Sequence, residues 1–97
     1  MYGTVARTRV KPENREQLTK VFESQSYDTD VSGYVTSYVL WENDSDVAWL
    51  FAAFEDRAAY EKNADDPAQH GRYVAYRALM EDEPEWHDGE IWAEPAR

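Results

Sequence analysis

The chain has 97 residues, 42% of them hydrophobic and 14% aromatic, with 20 acidic against 10 basic side chains and a formal net charge of -10. That length supports one domain, residues 1–97, near the lower limit for burying its own core, and the aromatic content excludes disorder. The acidic field excludes nucleic acid and anionic membranes as expected partners, and the absence of cysteine excludes disulfides, thiolate metal sites and a cysteine nucleophile.

Tyr2 to Val10 alternates, with Tyr2, Thr4, Ala6, Thr8 and Val10 on one side and Gly3, Val5, Arg7 and Arg9 on the other, which is the period of a strand. Lys11-Pro12-Glu13 then places proline at a first helical position with acid in the first turn. Leu18, Val21 and Phe22 recur at helical spacing, so a helix is expected from Pro12 to about Gln25. After a polar connection ending in Val31-Ser32-Gly33, the run GYVTSYVLWE reads as a second strand and Asn43-Asp44-Ser45-Asp46 as a turn. Val47 to Phe54, VAWLFAAF, is apolar on both sides and demands cover on both faces; one helical layer supplies only one.

Asp56 can cap a short helix through Asn63, with Ala59, Tyr60 and Asn63 on one side. Asp66, Pro67 and Gln69 have the form of an N-cap, an N1 proline and a reciprocal capping box, launching a helix from Pro67 to about Met80. Its small apolar stripe is expected at Gly71, Val74, Ala75, Ala78 and Leu79, with His70, Tyr73, Tyr76 and Arg77 beside it. Pro84 stops the helix, and Glu85 to Ala93 forms a last strand, irregular around Asp88-Gly89, where Gly89 permits a bulge. The order β-α-β-β-α-α-β is that of an α+β, ferredoxin-like antiparallel sheet. Neither an apolar leader in MYGTVARTRV nor an apolar run near the about 20 residues of a membrane span is seen, so a cytoplasmic protein with no membrane partner is expected.

Taken together, Pro12, Gly33-Tyr34, Phe54-Glu55-Asp56-Arg57 with Ala59-Tyr60, Asp66-Pro67-Ala68-Gln69-His70 and Pro84-Glu85-Trp86-His87-Asp88-Gly89 resemble the antibiotic biosynthesis monooxygenase family over nearly the whole chain. The resemblance implies a homodimeric α/β barrel, two sheets facing each other with helices outside, and a ligand pocket between each sheet and its helices. A homodimer would also supply the second cover that Val47 to Phe54 requires. In the family's haem-degrading branch a His acts with a strand Asn and a helix Trp. Here His70 matches the His, but Asn63 and a residue near Arg7 stand at the other two positions, which argues against haem.

His70 is the candidate catalytic residue, because a neutral imidazole in a dry pocket serves as a general base at neutral pH. Tyr60, Asn63 and Tyr73 lie on helical faces that can converge with it, and Trp49 and Tyr38 are candidate substrate contacts from the sheet. Such a set fits cofactor-independent oxidation of a small neutral aromatic compound, a quinol or anthrone: a base to form the anion, donors to hold its oxygens and aromatic walls to exclude water. No metal or other cofactor is called for; His87 beside Asp88 lacks convergence, since adjacent strand residues face opposite ways. Arg7, Arg72 and Arg77 are expected in ion pairs. The competing reading is a non-catalytic dimer of the same fold that binds a small molecule or closes its pocket with its own side chains.

Overall fold

The structure, a computed structural model, describes residues 1–24 and 32–95. Its elements are β1 Tyr2–Arg9, α1 Pro12–Ser24, β2 Tyr34–Trp41, β3 Val47–Phe54, α2 Arg57–Ala64, α3 Pro67–Arg77 and β4 Glu85–Glu90. The four strands form one antiparallel sheet in the order β2-β3-β1-β4, the ferredoxin-like arrangement, with the helices packed on one face. Gln25, the expected end of the first helix, and Val31 of the connection after it lie outside the described residues.

Alternation sorts the sheet residues into two faces. Ala6 of β1 stands opposite Leu50 of β3 and Trp86 of β4, and Leu50 stands opposite Val39 of β2; this is the face under the helices. Ala6, Val10, Leu18, Ala48, Leu50, Tyr76 and Met80 form the buried core there, with Val21 and Phe22 of α1 packed against it. The expected stripe of α1 is therefore the buried one, and burial of these side chains supplies most of the helix's stability. The turn between β2 and β3 falls at Asp44, whose φ of 55° is a left-handed conformation that aspartate tolerates better than most side chains.

Two local expectations are corrected. In α3 and the turn after it the packing face is formed by Tyr73, Tyr76, Leu79 and Met80; of the expected stripe Leu79 alone packs on the core, whereas Gly71, Val74, Ala75 and Ala78 are exposed. Both stripes have helical spacing, but the aromatic one removes far more area from water and fills the gap above the sheet. In β4 the register with β1 runs unbroken from Glu85 to Glu90, so Gly89 makes no bulge; the irregularity lies in β2, between Tyr34 and Thr36. At the start of α3, Asp66 Oδ1 accepts from the Ala68 amide at 2.9 Å, and the Asp66 amide donates to the Asn63 carbonyl at 3.1 Å, which ties the cap to the end of α2.

No helix among the described residues packs on the second sheet face. Val5, Tyr38 and Leu40 are exposed on it, Tyr38 at 64% and Leu40 at 58%, beside Trp49 and Phe51 of β3. Tyr38 and Phe51 stack with ring centroids 5.9 Å apart. No helix among the described residues is long and apolar enough to cross a membrane.

Candidate functional site

A half-open cavity of about 740 Å³ lies between the helix-covered sheet face and α2 and α3. Aromatic rings build its walls in a chain of contacts. Tyr34 meets Phe54 at 5.8 Å between centroids, Phe54 meets Tyr60 at 5.7 Å, and on the other side Tyr73 and Phe22 each meet Tyr76 at 5.4 Å. Edge-on and tilted ring pairs of this kind hold their geometry by quadrupole attraction as well as by burial, which makes the walls stiff.

Polar groups enter from three elements. Asp56 caps α2, its Oδ1 accepting from the Ala59 amide at 2.8 Å, and this sets the turn from which Tyr60 and Asn63 project into the cavity. Asp66 caps α3 with Pro67 in the first turn, and His70 follows one turn on, at the cavity wall. From the sheet, Asp88 of β4 stands opposite Thr4 and accepts a hydrogen bond from the Tyr60 hydroxyl at 2.9 Å.

The Tyr60 phenol is pushed up to about 12, first by burial and then by its bond to the Asp88 carboxylate, both of which disfavour the phenolate. Tyr73 shifts the same way, by burial first and then by donating to Glu83 Oε2 at 2.5 Å; Glu83 is held below the usual carboxylate range by that bond and by Arg77. Both phenols therefore stay protonated donors at neutral pH. For Tyr60 this gives a sign that can be checked. Because the folded chain retains the proton above the ordinary value of 10.0, its contribution to stability is complete below pH 10 and is lost as pH rises through about 12. Near-ultraviolet absorbance titration should show one of the 7 tyrosines ionising about two units late, and Tyr60→Phe should remove that late step.

No protein-family model matches the sequence, and no curated protein matches it. Solved structures do. A monooxygenase from Streptomyces coelicolor, in complex with the ligand nanaomycin D, superimposes with a TM-score of 0.82 at 18% identity, covering 99% of this chain and 91% of its own. A variant of a cofactor-independent oxygenase from Streptomyces nogalater gives 0.78 at 21% identity, over 96% of this chain and 94% of its own. A protein from Chloroflexus aurantiacus described as a candidate antibiotic biosynthesis monooxygenase gives 0.75 at 17%, over 98% and 96%. The chain has the fold of the antibiotic biosynthesis monooxygenases.

Within this fold, His70, Tyr60, Asn63 and Tyr73 all line the cavity described above. The two sheet candidates do not join them in the same way. Trp49 belongs to the uncovered face, its indole Nε1 donating to Glu42 Oε2 at 3.0 Å, and it does not line the cavity. Tyr38 reaches the cavity edge at β2, yet alternation assigns its ring to the uncovered face, stacked on Phe51. Trp49 stands outside the cavity because a strand residue's face follows from its register, which aromatic identity alone does not report.

Trp86 and Asp88, which were not among the expected site residues, alternate along β4 and line the cavity on the helix side. His87, between them, points the other way and pairs its Nε2 with Glu85 Oε1 at 3.0 Å. The alternation was visible in the sequence; which parity faced the helices was not. Arg77 pairs with Glu83 at 3.3 Å, and Arg72 Nη1 donates to Gln69 Oε1 at 3.3 Å; neither lines the cavity, nor does Arg7.

Proposed function

We propose that this protein is a cofactor-independent monooxygenase of the antibiotic biosynthesis type, acting on a small aromatic quinol- or anthrone-like substrate. The observation that carries the reading is the aromatic-walled cavity of about 740 Å³ with His70 on its wall and protonated phenols at Tyr60 and Tyr73. A cavity of this size and lining takes a fused-ring compound. His70 accepts the acidic proton of the bound substrate, and the resulting carbanion or phenolate is the reductant. It gives electrons to O2, the partners combine as a hydroperoxide, and loss of water leaves the new carbonyl: one oxygen atom enters the product and the other leaves as water. Phenol and amide donors from Tyr60, Tyr73 and Asn63 stabilise the developing oxyanion, and the rings exclude water. The solved neighbours that act as oxygenases with this fold support the reading.

Oxygen uptake by metal-stripped protein across reduced naphthoquinols and anthrones tests it. Uptake above the autoxidation background on at least one substrate supports the proposal; background rates throughout, with tight binding of the same compounds, support the second reading. That reading, binding without turnover, is favoured by one observation: no hydrogen bond among the described residues fixes the His70 ring.

The same proposal includes a homodimer through the uncovered sheet face, where Val5, Tyr38, Leu40 and Phe51 place apolar surface in solvent. Leu40→Lys should convert a particle of twice 11.3 kDa into one of 11.3 kDa in sedimentation equilibrium. An unchanged monomeric mass in the unaltered protein would rule the dimer out.

A further inference from the structure

The charge lining the cavity is one-sided. Glu23 from α1 and Asp88 from β4 stand at its wall, and among the described residues that line it there is no lysine or arginine. Asp88 uses one carboxylate oxygen, Oδ1, to accept from Tyr60; Oδ2 has no hydrogen-bond partner among the described residues. Trp86 lies two residues away on the same face of β4, about 7 Å along the strand; it lines the cavity and is 41% exposed. A carboxylate with an open oxygen, flanked by an exposed indole and a fixed phenol, is the arrangement that receives an ammonium group: the charge meets Asp88 and the N–H or N–CH bonds meet the ring face.

The proposed chemistry sharpens the point. It generates a substrate anion in a cavity where the only cation the mechanism creates among the described lining residues is the imidazolium of His70, on α3, while Asp88 on β4 keeps its negative charge, and an anion near that carboxylate is unfavourable. A cationic substituent on the substrate removes that penalty, because it neutralises Asp88 and leaves the reacting oxygen to the phenol and amide donors.

From this geometry we infer that the cavity selects aromatic ligands that carry a cationic amine, with Asp88 as counter-ion and Trp86 as its aromatic platform, and that it rejects aromatic carboxylates. The inference rests on the cavity being the ligand site, as proposed above, but not on turnover there.

Three naphthalene probes matched in size and unable to undergo the oxidation separate the two: 1-naphthylmethylamine, 1-naphthylmethanol and 1-naphthoate, measured by titration calorimetry at low ionic strength. The amine should bind about tenfold more tightly than the alcohol, about 1.4 kcal/mol, and the carboxylate more weakly than either. Asp88→Asn should bring amine and alcohol to within about twofold, and Trp86→Leu should reduce the amine preference while circular dichroism stays unchanged. Binding of all three probes with equal affinity in the unaltered protein overturns the charge selection and leaves the cavity as the ligand site. An amine preference that survives Asp88→Asn in a folded variant overturns the assignment of the counter-ion, and failure of every probe to bind overturns both this inference and the site it rests on.

Discussion

Replacing His70 by alanine is expected to lower oxygen uptake on a quinol or anthrone substrate about a hundredfold, with KM changed far less. His70 is the imidazole at the cavity wall; the only other one, His87, points to the uncovered sheet face and is paired with Glu85. The Tyr60 and Tyr73 phenols hold their protons, and the two carboxylates at the wall, Glu23 and Asp88, belong to a class of weaker bases than an imidazole. A hundredfold loss is about 2.7 kcal/mol of barrier, the low end of what a positioned general base contributes. The split between kcat and KM separates this from a packing effect, since a side chain that only shaped the cavity would weaken binding and turnover together. His87→Ala, compared at equal concentration of folded protein, should leave uptake unchanged. Equal rates in His70→Ala and unaltered protein would remove His70 from the mechanism.

The largest effect on stability is expected from Gly3→Ala, with a loss of about 3 kcal/mol or failure to fold. Gly3 lies in the central strand β1, paired with Ala53 on one side and Gly89 on the other. A Cβ there would stand 2.0 Å from the Ala52 carbonyl oxygen and 2.8 Å from Ile91 Cδ1. The first of these is backbone held in the sheet, so it cannot swing aside as a long side chain would. Gly71→Ala supplies the contrast. Nothing lies within 4 Å of the Cβ added at Gly71, inside α3, so this change relieves the entropic penalty of a helical glycine and should stabilise by about 0.5–1 kcal/mol. Thermal or urea unfolding of the two variants should move in opposite directions. A neutral Gly3→Ala would mean that the β1 to β3 backbone shifts at little cost.

The legibility of this molecule differed between its levels. β3, the starts of α1 and α3, and the two sides of β1 could be read from particular signals: the period of two in β1, proline after a polar residue at Pro12 and Pro67, and the doubly apolar run at Val47 to Phe54. Those signals are local, set by backbone sterics and capping. The face of α3 could not be read, because Gly71, Val74, Ala75 and Ala78 compete with Tyr73, Tyr76 and Met80 at the same spacing, and only the space above Ala6 and Leu50 decides between them. In the site, His70, Tyr60, Asn63 and Tyr73 came from helix faces near well-marked caps. Asp88 and Trp86 did not, since their orientation depends on pairing with Thr4 and Ala6 more than 80 residues and about 80 residues away in sequence, respectively.

By itself, then, the sequence determined the order of elements, the acidic character and the aromatic supply, because propensity, period and charge are properties of short segments and of composition. The tertiary structure alone decided which aromatic residues wall the cavity, which parity of β4 faces it, and that its charge is carried by carboxylates without a lysine or arginine among the described lining residues. Those outcomes are set by long-range register and by competition between helix faces for one buried volume. Neither quantity is local, so neither is written in any single stretch of the chain.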